Sequence, residues 1–184
     1  MKIIGLCGAA GSGKSTVGEL ICGLTDATQI AFADPIYDAV SAITGLSRGQ
    51  LADRTIKEEP IDWLGRSPRE LLQTLGTEWG RDSVHQEIWV RRAMQRAEAA
   101  GGLVVITDVR FDNEADAIHK AGGEVWQVRR RGSGIPGRHS SEAGVSEHLI
   151  DLRIDNHGTL GGLAAAVYAA LGRPHDARIE VLPR

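Results

Sequence analysis

The sequence predicts an α/β fold, a three-layer sandwich built on a mainly parallel five-stranded sheet. Three observations carry that expectation. Short apolar strands alternate with amphipathic helices along the chain, the pattern of parallel strands joined by crossover helices. Leu103-Val104-Val105-Ile106-Thr107 is apolar and β-branched almost throughout, as a strand covered on both faces must be. A glycine-rich turn from Gly8 to Gly13 separates the first strand from the first helix.

Residues 2–7 are a short apolar run ending in glycines, the first strand. Residues 13–24 carry helical periodicity, with Val17, Leu20, Ile21 and Leu24 on one face. The second strand spans 28–33. Asp34-Pro35 then starts a helix, with Asp as N-cap and Pro at the first helical position, and Gly45 stops it. Residues 46–65 are polar and less regular. Ser67-Pro68-Arg69-Glu70 is a capping box with Pro at its first helical position. A long amphipathic helix over 82–100 ends at Gly101-Gly102, and the third strand, 103–107, leaves Asp108 at its carboxyl end. A helix over 113–121, a fourth strand over 124–128 and a basic glycine-rich loop over 129–137 follow. A helix over 140–150, a fifth strand over 152–155 and an Ala-rich helix over 160–171 complete the pattern. The tail beyond Arg173 is expected to add a short strand over 178–182.

The length, 184 residues, suits one domain at ~150 residues per domain. We expect a single domain, 1–184, with an insert at about 46–100 and a mobile loop at about 129–142. Lys+Arg 21 against Asp+Glu 24 gives a net charge of −3, which excludes a chain built to coat nucleic acid or an anionic membrane. A hydrophobic share of 42% excludes wholesale disorder. Cys7 and Cys22 lack the number and spacing for a disulfide framework, a redox pair or a zinc site, so both read as buried thiols in a reducing cytoplasm. No run approaches the ~18 apolar residues of a membrane span, and the N-terminal apolar run is too short for a targeting segment.

Gly8-Ala9-Ala10-Gly11-Ser12-Gly13-Lys14-Ser15 matches GxxxxGK[ST], the P-loop, in full, with a strand before it and a helix after. The glycines let the backbone wrap a phosphate without Cβ clashes, so successive N–H groups of Gly8, Ala10, Gly11, Ser12 and Gly13 are expected to point inward. Lys14, Ser15 and Thr16 open the helix, whose free N–H groups and positive dipole end face the same anion. Lys14 is expected to reach the β- and γ-phosphates of ATP, and the Ser15 hydroxyl to ligate Mg²⁺. The second Mg²⁺ contact is expected from Asp108, unless it only caps the next turn. No NKxD motif occurs, which argues against a GTPase switch.

The arginines point to a second, acceptor side. Arg69, Arg81, Arg110, the run Arg129-Arg130-Arg131 and Arg138 fall at helix starts, strand ends or loops. Ligands of parallel sheets bind at carboxyl strand ends, and a guanidinium fork suits phosphate oxygens. Arg129 and Arg131, with glycines at 132, 134 and 137, read as a lid over the triphosphate, Arg129 on the ATP side and Arg131 on the transferring group. Arg69 and Gln73 share one helix face. Trp79 and Trp89 either stack on a base or pack in the core. His139, Glu142 and His148 are too poorly aligned for a metal site.

The chain resembles the bacteriophage-type deoxynucleoside monophosphate kinases, a branch of the P-loop nucleotide kinases. The resemblance rests on the P-loop, Phe32-Ala33-Asp34-Pro35, and Ser67 to Gln73 with Gly76-Thr77-Glu78 and Arg81. It continues through Trp89-Val90, Thr107-Asp108-Val109-Arg110-Phe111, Asn113-Glu114-Ala115, and a late His139 to Glu142 with Asn156. It runs to about residue 170. Ser15 stands where the family often has Asp. The resemblance implies ATP-dependent phosphorylation of a deoxynucleoside 5′-monophosphate. With the residue reading above, this gives catalytic roles to Lys14, Asp34, Arg110 and the loop residue Arg131, and acceptor contacts to Asp34, Arg69, Gln73, Arg81, Trp89 and Arg110, with Asp34 touching either the acceptor or the Mg²⁺ shell unless it only caps its helix. A kinase of another phosphorylated metabolite, such as phosphomevalonate or dephospho-coenzyme A, would share the phosphate machinery. A non-kinase P-loop ATPase would not need the second arginine cluster. The helices over 82–100 and 160–171 supply either a homodimer face or core.

Overall fold

The computed structural model describes residues 1–53, 55–133 and 144–172. In chain order the elements are β1 (Lys2–Cys7), α1 (Lys14–Leu24), β2 (Thr28–Ile30), α2 (Asp34–Thr44), α3 (Arg48–Ala52) and α4 (Pro68–Gln73). A π-helix (Thr74–Val84) and α5 (Ile88–Ala100) come next, then β3 (Leu103–Ile106), α6 (Asp112–Lys120) and β4 (Glu124–Arg129). A 3₁₀ turn (Glu147–Leu149), β5 (Leu152–Asp155) and α7 (Leu160–Leu171) follow. The chain makes two compact units: Met1–Ala31 together with the chain from Ala93 onward, and Phe32–Arg92.

In the first unit the five strands pair in parallel in the order β2-β3-β1-β4-β5. Side chains alternate across each strand, so one face of the sheet collects Ile4, Leu6, Val105, Trp126, Val128, Leu152 and Ile154. Val17 and Ile21 of α1 and Leu163, Val167 and Ala170 of α7 cover them. Each such aliphatic side chain contributes about 1.5–3 kcal/mol by leaving water. The opposite face packs on α6: a Cβ at Gly5 would stand 2.5 Å from Ile118 Cδ1. Because all strands run the same way, the segments after β1, β3, β4 and β5 emerge at one edge of the sheet. That edge carries the chemistry.

In the second unit α2 packs on α3 and α4, and the π-helix continues α4. Its last turn closes five residues back, where the His85 N–H reaches the Gly80 carbonyl, and the Ser83 side-chain hydroxyl donates to the Glu78 carbonyl. Trp89 packs against Gly80, and Ile36 packs against Gly76. The indole Nε1 donates to the Gly76 carbonyl at 2.7 Å, and a Cβ at Gly80 would lie 2.6 Å from the ring.

Several boundaries differ from the expectation. β2 ends at Ile30 because the chain turns at 32–33, and the Ala33 carbonyl accepts from both Ile36 and Tyr37 N–H. Ala33 is therefore the N-cap, and Asp34 is the first residue of α2. Leu24 is exposed rather than packed. The helix expected over 82–100 begins only at Ile88, since His85 is extended and its Nδ1 accepts from the Glu87 N–H. The irregular stretch 46–65 contains α3, capped by a Ser47–Gln50 box. Of the helix expected over 140–150, the described part holds one 3₁₀ turn, with Ser146 drawn onto the Asp112 carboxylate by its N–H and hydroxyl. Arg138, His139, Glu142, most of the expected lid and the strand at 178–182 lie outside the described residues.

Candidate active site

β1 delivers the chain into the glycine loop between β1 and α1. Gly8 has φ +132°, and a Cβ there would stand 2.3 Å from the Val128 carbonyl oxygen. The Ser12 N–H bonds the Ala9 carbonyl, and Gly13, at φ +104°, is the N-cap of α1. No side chain caps this helix, so its first N–H groups remain for a ligand. Lys14 folds back over the loop, its Nζ donating to the carbonyls of Gly8 (2.6 Å) and Ala9 (2.9 Å). Burial, and then the nearby Arg110 guanidinium, hold its pKa below the ordinary lysine value. Ser12 is fully buried, and its hydroxyl has no hydrogen-bond partner among the described residues. Asn156, just after β5, donates from Nδ2 to the Ser12 carbonyl at 2.9 Å. A loop turned by three positive-φ glycines, an uncapped helix start, a buried orphan hydroxyl and a cation held by carbonyls together fit a polyphosphate.

The segment after β3 adds the next groups. The Val109 N–H bonds the Leu6 carbonyl at 3.1 Å, tying this segment to β1. Glu114, 2% exposed, takes the N–H groups of Arg110 (2.7 Å) and Phe111 (3.1 Å) on one carboxylate oxygen. The main chain around Arg110 is thereby fixed while its side chain reaches solvent. Asp108 is half-buried and attracts the Lys14 charge, whereas Arg110 repels it. The structure thus brings Lys14, Asp108 and Arg110 within one electrostatic neighbourhood. Ser15 lies exposed in the first turn of α1. Its hydroxyl and the Asp108 carboxylate are the hard oxygen donors here, the type that suits Mg²⁺.

At the foot of the expected lid, Arg129 is the last residue of β4 rather than a loop residue. It grips Asp155 with two bonds, Nε to Oδ1 at 2.9 Å and one terminal nitrogen to Oδ2 at 3.2 Å. The Arg131 N–H donates to His157 Nδ1 at 3.1 Å, and its side chain is exposed.

The remaining residues expected at the site belong to the second unit. Asp34, with 17% of its side chain exposed, receives Arg48 at 3.0 Å, and Arg48 also binds Asp38. Arg69 forms an ion pair with Glu58. Arg81 donates to the Gln86 carbonyl at 3.3 Å, and Gln73 is half-buried at the end of α4. Trp89, 7% exposed with its indole N–H taken by Gly76, is packed; Trp79 is exposed. Arg48 and Glu58 were missed by the sequence reading. The Ser47-x-x-Gln50 spacing could have placed Arg48 at a helix start, but nothing local pairs Glu58 with Arg69.

A glycine loop between the central strand and the first helix of a parallel β2-β3-β1-β4-β5 sheet is the arrangement of the P-loop kinase-like folds. A family model, deoxynucleotide monophosphate kinase, matches residues 47–167. The chain is 35% identical to a protein of Acanthamoeba polyphaga mimivirus assigned to the deoxynucleotide monophosphate kinases, over 87% of this chain and 91% of that one. It is 30% identical to the deoxynucleoside-5′-monophosphate kinase of Escherichia phage T5, over 64% of this chain and 72% of that one. The deoxynucleotide monophosphate kinase of Enterobacteria phage T4 is 24% identical, over 91% and 97% of the two chains. In fold the chain is similar to the crystal structure of TT1252 from Thermus thermophilus, with a TM-score of 0.52, 19% identity and coverage of 92% and 95%. The chain belongs to the deoxynucleotide monophosphate kinase family and is a nucleotide kinase.

Proposed function

We propose that this kinase transfers the γ-phosphoryl group of ATP to a deoxynucleoside 5′-monophosphate, giving ADP and the deoxynucleoside diphosphate. The observation that carries the reading is the uncapped glycine loop with Lys14 folded over it, near enough to Asp108 and Arg110 to feel both charges. The names of the relatives supply the acceptor class. An acceptor phosphate oxygen attacks the γ-phosphorus, and the bond from that phosphorus to the β,γ-bridging oxygen breaks. The acceptor's second pKa is about 6, so it arrives ionised and needs no general base. What the protein must supply is alignment and charge neutralisation.

Gly8, Ala10, Gly11, Ser12, Gly13, Lys14, Ser15 and Thr16 hold the triphosphate, and Lys14 exchanges its carbonyl partners for phosphate oxygens. Mg²⁺, held by Ser15 and Asp108, would neutralise charge on the β- and γ-phosphates. Arg69, Gln73 and Arg81 grip the acceptor, with Asp34 orienting it. Arg110 and Arg131 stabilise the charge of the transferring group. The enzyme works in a reducing cytoplasm, where the thiols of Cys7 and Cys22 stay free; burial pushes the Cys7 thiol up to about 11.

The test is coupled ADP release with ATP and a panel of ribo- and deoxyribonucleoside monophosphates. Release that depends on a deoxynucleoside monophosphate is the expected result. ADP release in the absence of any monophosphate would make the protein an ATPase and overturn the reading.

A further inference from the structure

Asn156 sits where three parts of the first unit meet. Its main-chain N–H donates to the Arg129 carbonyl at 2.7 Å, extending the β4–β5 pairing by one bond. Its side-chain Nδ2 donates to the Ser12 carbonyl at 2.9 Å, across 144 residues of sequence. The space it occupies lies against the glycine loop: a Cβ at Gly13 would stand 2.3 Å from Nδ2. Gly13 is thus required twice, for its φ of +104° and for the room it leaves to Asn156.

The bond falls on the peptide between Ser12 and Gly13. That peptide is planar and trans, so its C=O and N–H point to opposite sides. Holding the carbonyl towards Asn156 fixes the Gly13 N–H in the opposite direction. Gly13 is also the N-cap residue, and its carbonyl accepts the first helical bond, from the Val17 N–H at 2.9 Å. The plane that Asn156 holds is therefore the one that joins the loop to α1.

We propose that Asn156 is a positioning residue for the donor nucleotide: by holding the Ser12 carbonyl it aims the Gly13 N–H at the phosphate chain of ATP. This rests on the glycine loop being the ATP site. The nearest rival is that Asn156 merely fills space and ties β5 to the loop. The two differ in what they demand of the side chain. An aiming role requires an N–H donor, whereas a filling role requires only shape.

Three variants separate them. Asn156→Asp keeps the shape, loses the donor and sets a carboxylate against the Ser12 carbonyl. Asn156→Ala removes both. Asn156→His keeps a ring N–H at the same number of bonds from the main chain as Nδ2, at the cost of bulk. KM for ATP and for the monophosphate, ADP affinity without acceptor, and Tm are measured for each beside the wild type. Asp and Ala should raise the ATP KM roughly tenfold, Asp more than Ala, with the monophosphate KM within about twofold. His should stay within about threefold of the wild type for ATP.

A filling role reverses the order: Asp is tolerated, and His is the worst. That order, an equal rise in both KM values, or a loss of Tm without a selective change in ATP, overturns the proposal. Should Asp fail to fold, Ala against His still decides it. A wild type that neither binds ADP nor turns over ATP would sink the ATP-site reading itself, a different failure from wild-type turnover with indifferent Asn156 variants.

Discussion

Lys14 and Arg69 are both expected phosphate ligands, yet they are held in opposite ways. Lys14 rests on two main-chain carbonyls of its own loop, five and six residues away in sequence. Arg69 rests on the carboxylate of Glu58, and Arg48 likewise bridges Asp34 and Asp38. The first arrangement is built from backbone, is half-buried and depends on glycines that admit no Cβ. The second is built from side-chain ion pairs at the surface, worth only about 0.2–1 kcal/mol each. A phosphate entering the loop completes a fixed cradle. A phosphate arriving at the arginines exchanges one carboxylate partner for another anion, at little net cost. On the roles proposed above, the donor half is preorganised and the acceptor half is adjustable.

The largest test of this contrast is Lys14→Ala. Losing one preorganised charge should lower kcat by about 10²–10³ with Tm little changed. Turnover near wild type in the folded variant would show that the cradle works without its lysine. Arg69→Ala comes next. Removing a charged contact should raise the monophosphate KM roughly ten- to a hundredfold and leave the ATP KM alone. A selective loss of ATP affinity would move Arg69 to the donor half.

A third pair of variants compares the scaffolds. Gly80→Ala puts a Cβ 2.6 Å from the Trp89 ring and should cost about 1–3 kcal/mol, seen as a lower Tm and altered tryptophan fluorescence. Gly23→Ala in α1 meets nothing within 4 Å and should stabilise by up to about 1 kcal/mol. Equal effects would mean that Trp89 packs loosely on Gly80.

The smallest effect is on pH. Because the Lys14 pKa is lowered from 10.5, ATP affinity should fall as pH climbs through a range below that of ordinary lysines. The monophosphate KM, set by arginines, should lack that limb, and Lys14→Arg should abolish it for ATP. The sign for stability is opposite. The unfolded chain binds the Lys14 proton more tightly, so the nucleotide-free protein gains stability as pH rises through the same window. An alkaline limb of equal size for both substrates would locate the titration elsewhere.

What was legible in the sequence follows the same divide. The glycine loop, the buried β3 and the Ser67–Glu70 box are encoded by neighbours, and each stands where the residues put it. The π-helix was not legible: Trp89 packs on Gly80 and bonds the Gly76 carbonyl from nine or more residues away, contacts that no local periodicity encodes. Periodicity alone ran one helix through His85, where a side chain accepting a main-chain N–H ends it. Arg129 looked like a loop residue because its partner, Asp155, lies 26 residues on. Asn156 belonged to the resemblance without a role, since its partner is at the other end of the chain.

The strand order also fixes a schedule. β1 lies between β3 and β4, so it cannot pair on either side until residues 103–106 exist, nor on both until β4 follows. At about 5–20 residues per second of translation, it waits roughly 5–20 seconds for β3 alone. During that interval Phe32–Arg92 is completed as one continuous stretch and is free to fold first. Meanwhile Ile3, Ile4 and Leu6, fully buried in the finished protein, are exposed on the nascent chain. The strand that leads into the glycine loop is therefore the first synthesised and among the last protected. Slower elongation before residue 103 would lengthen its exposure to aggregation and to chaperones without altering a single contact of the native state.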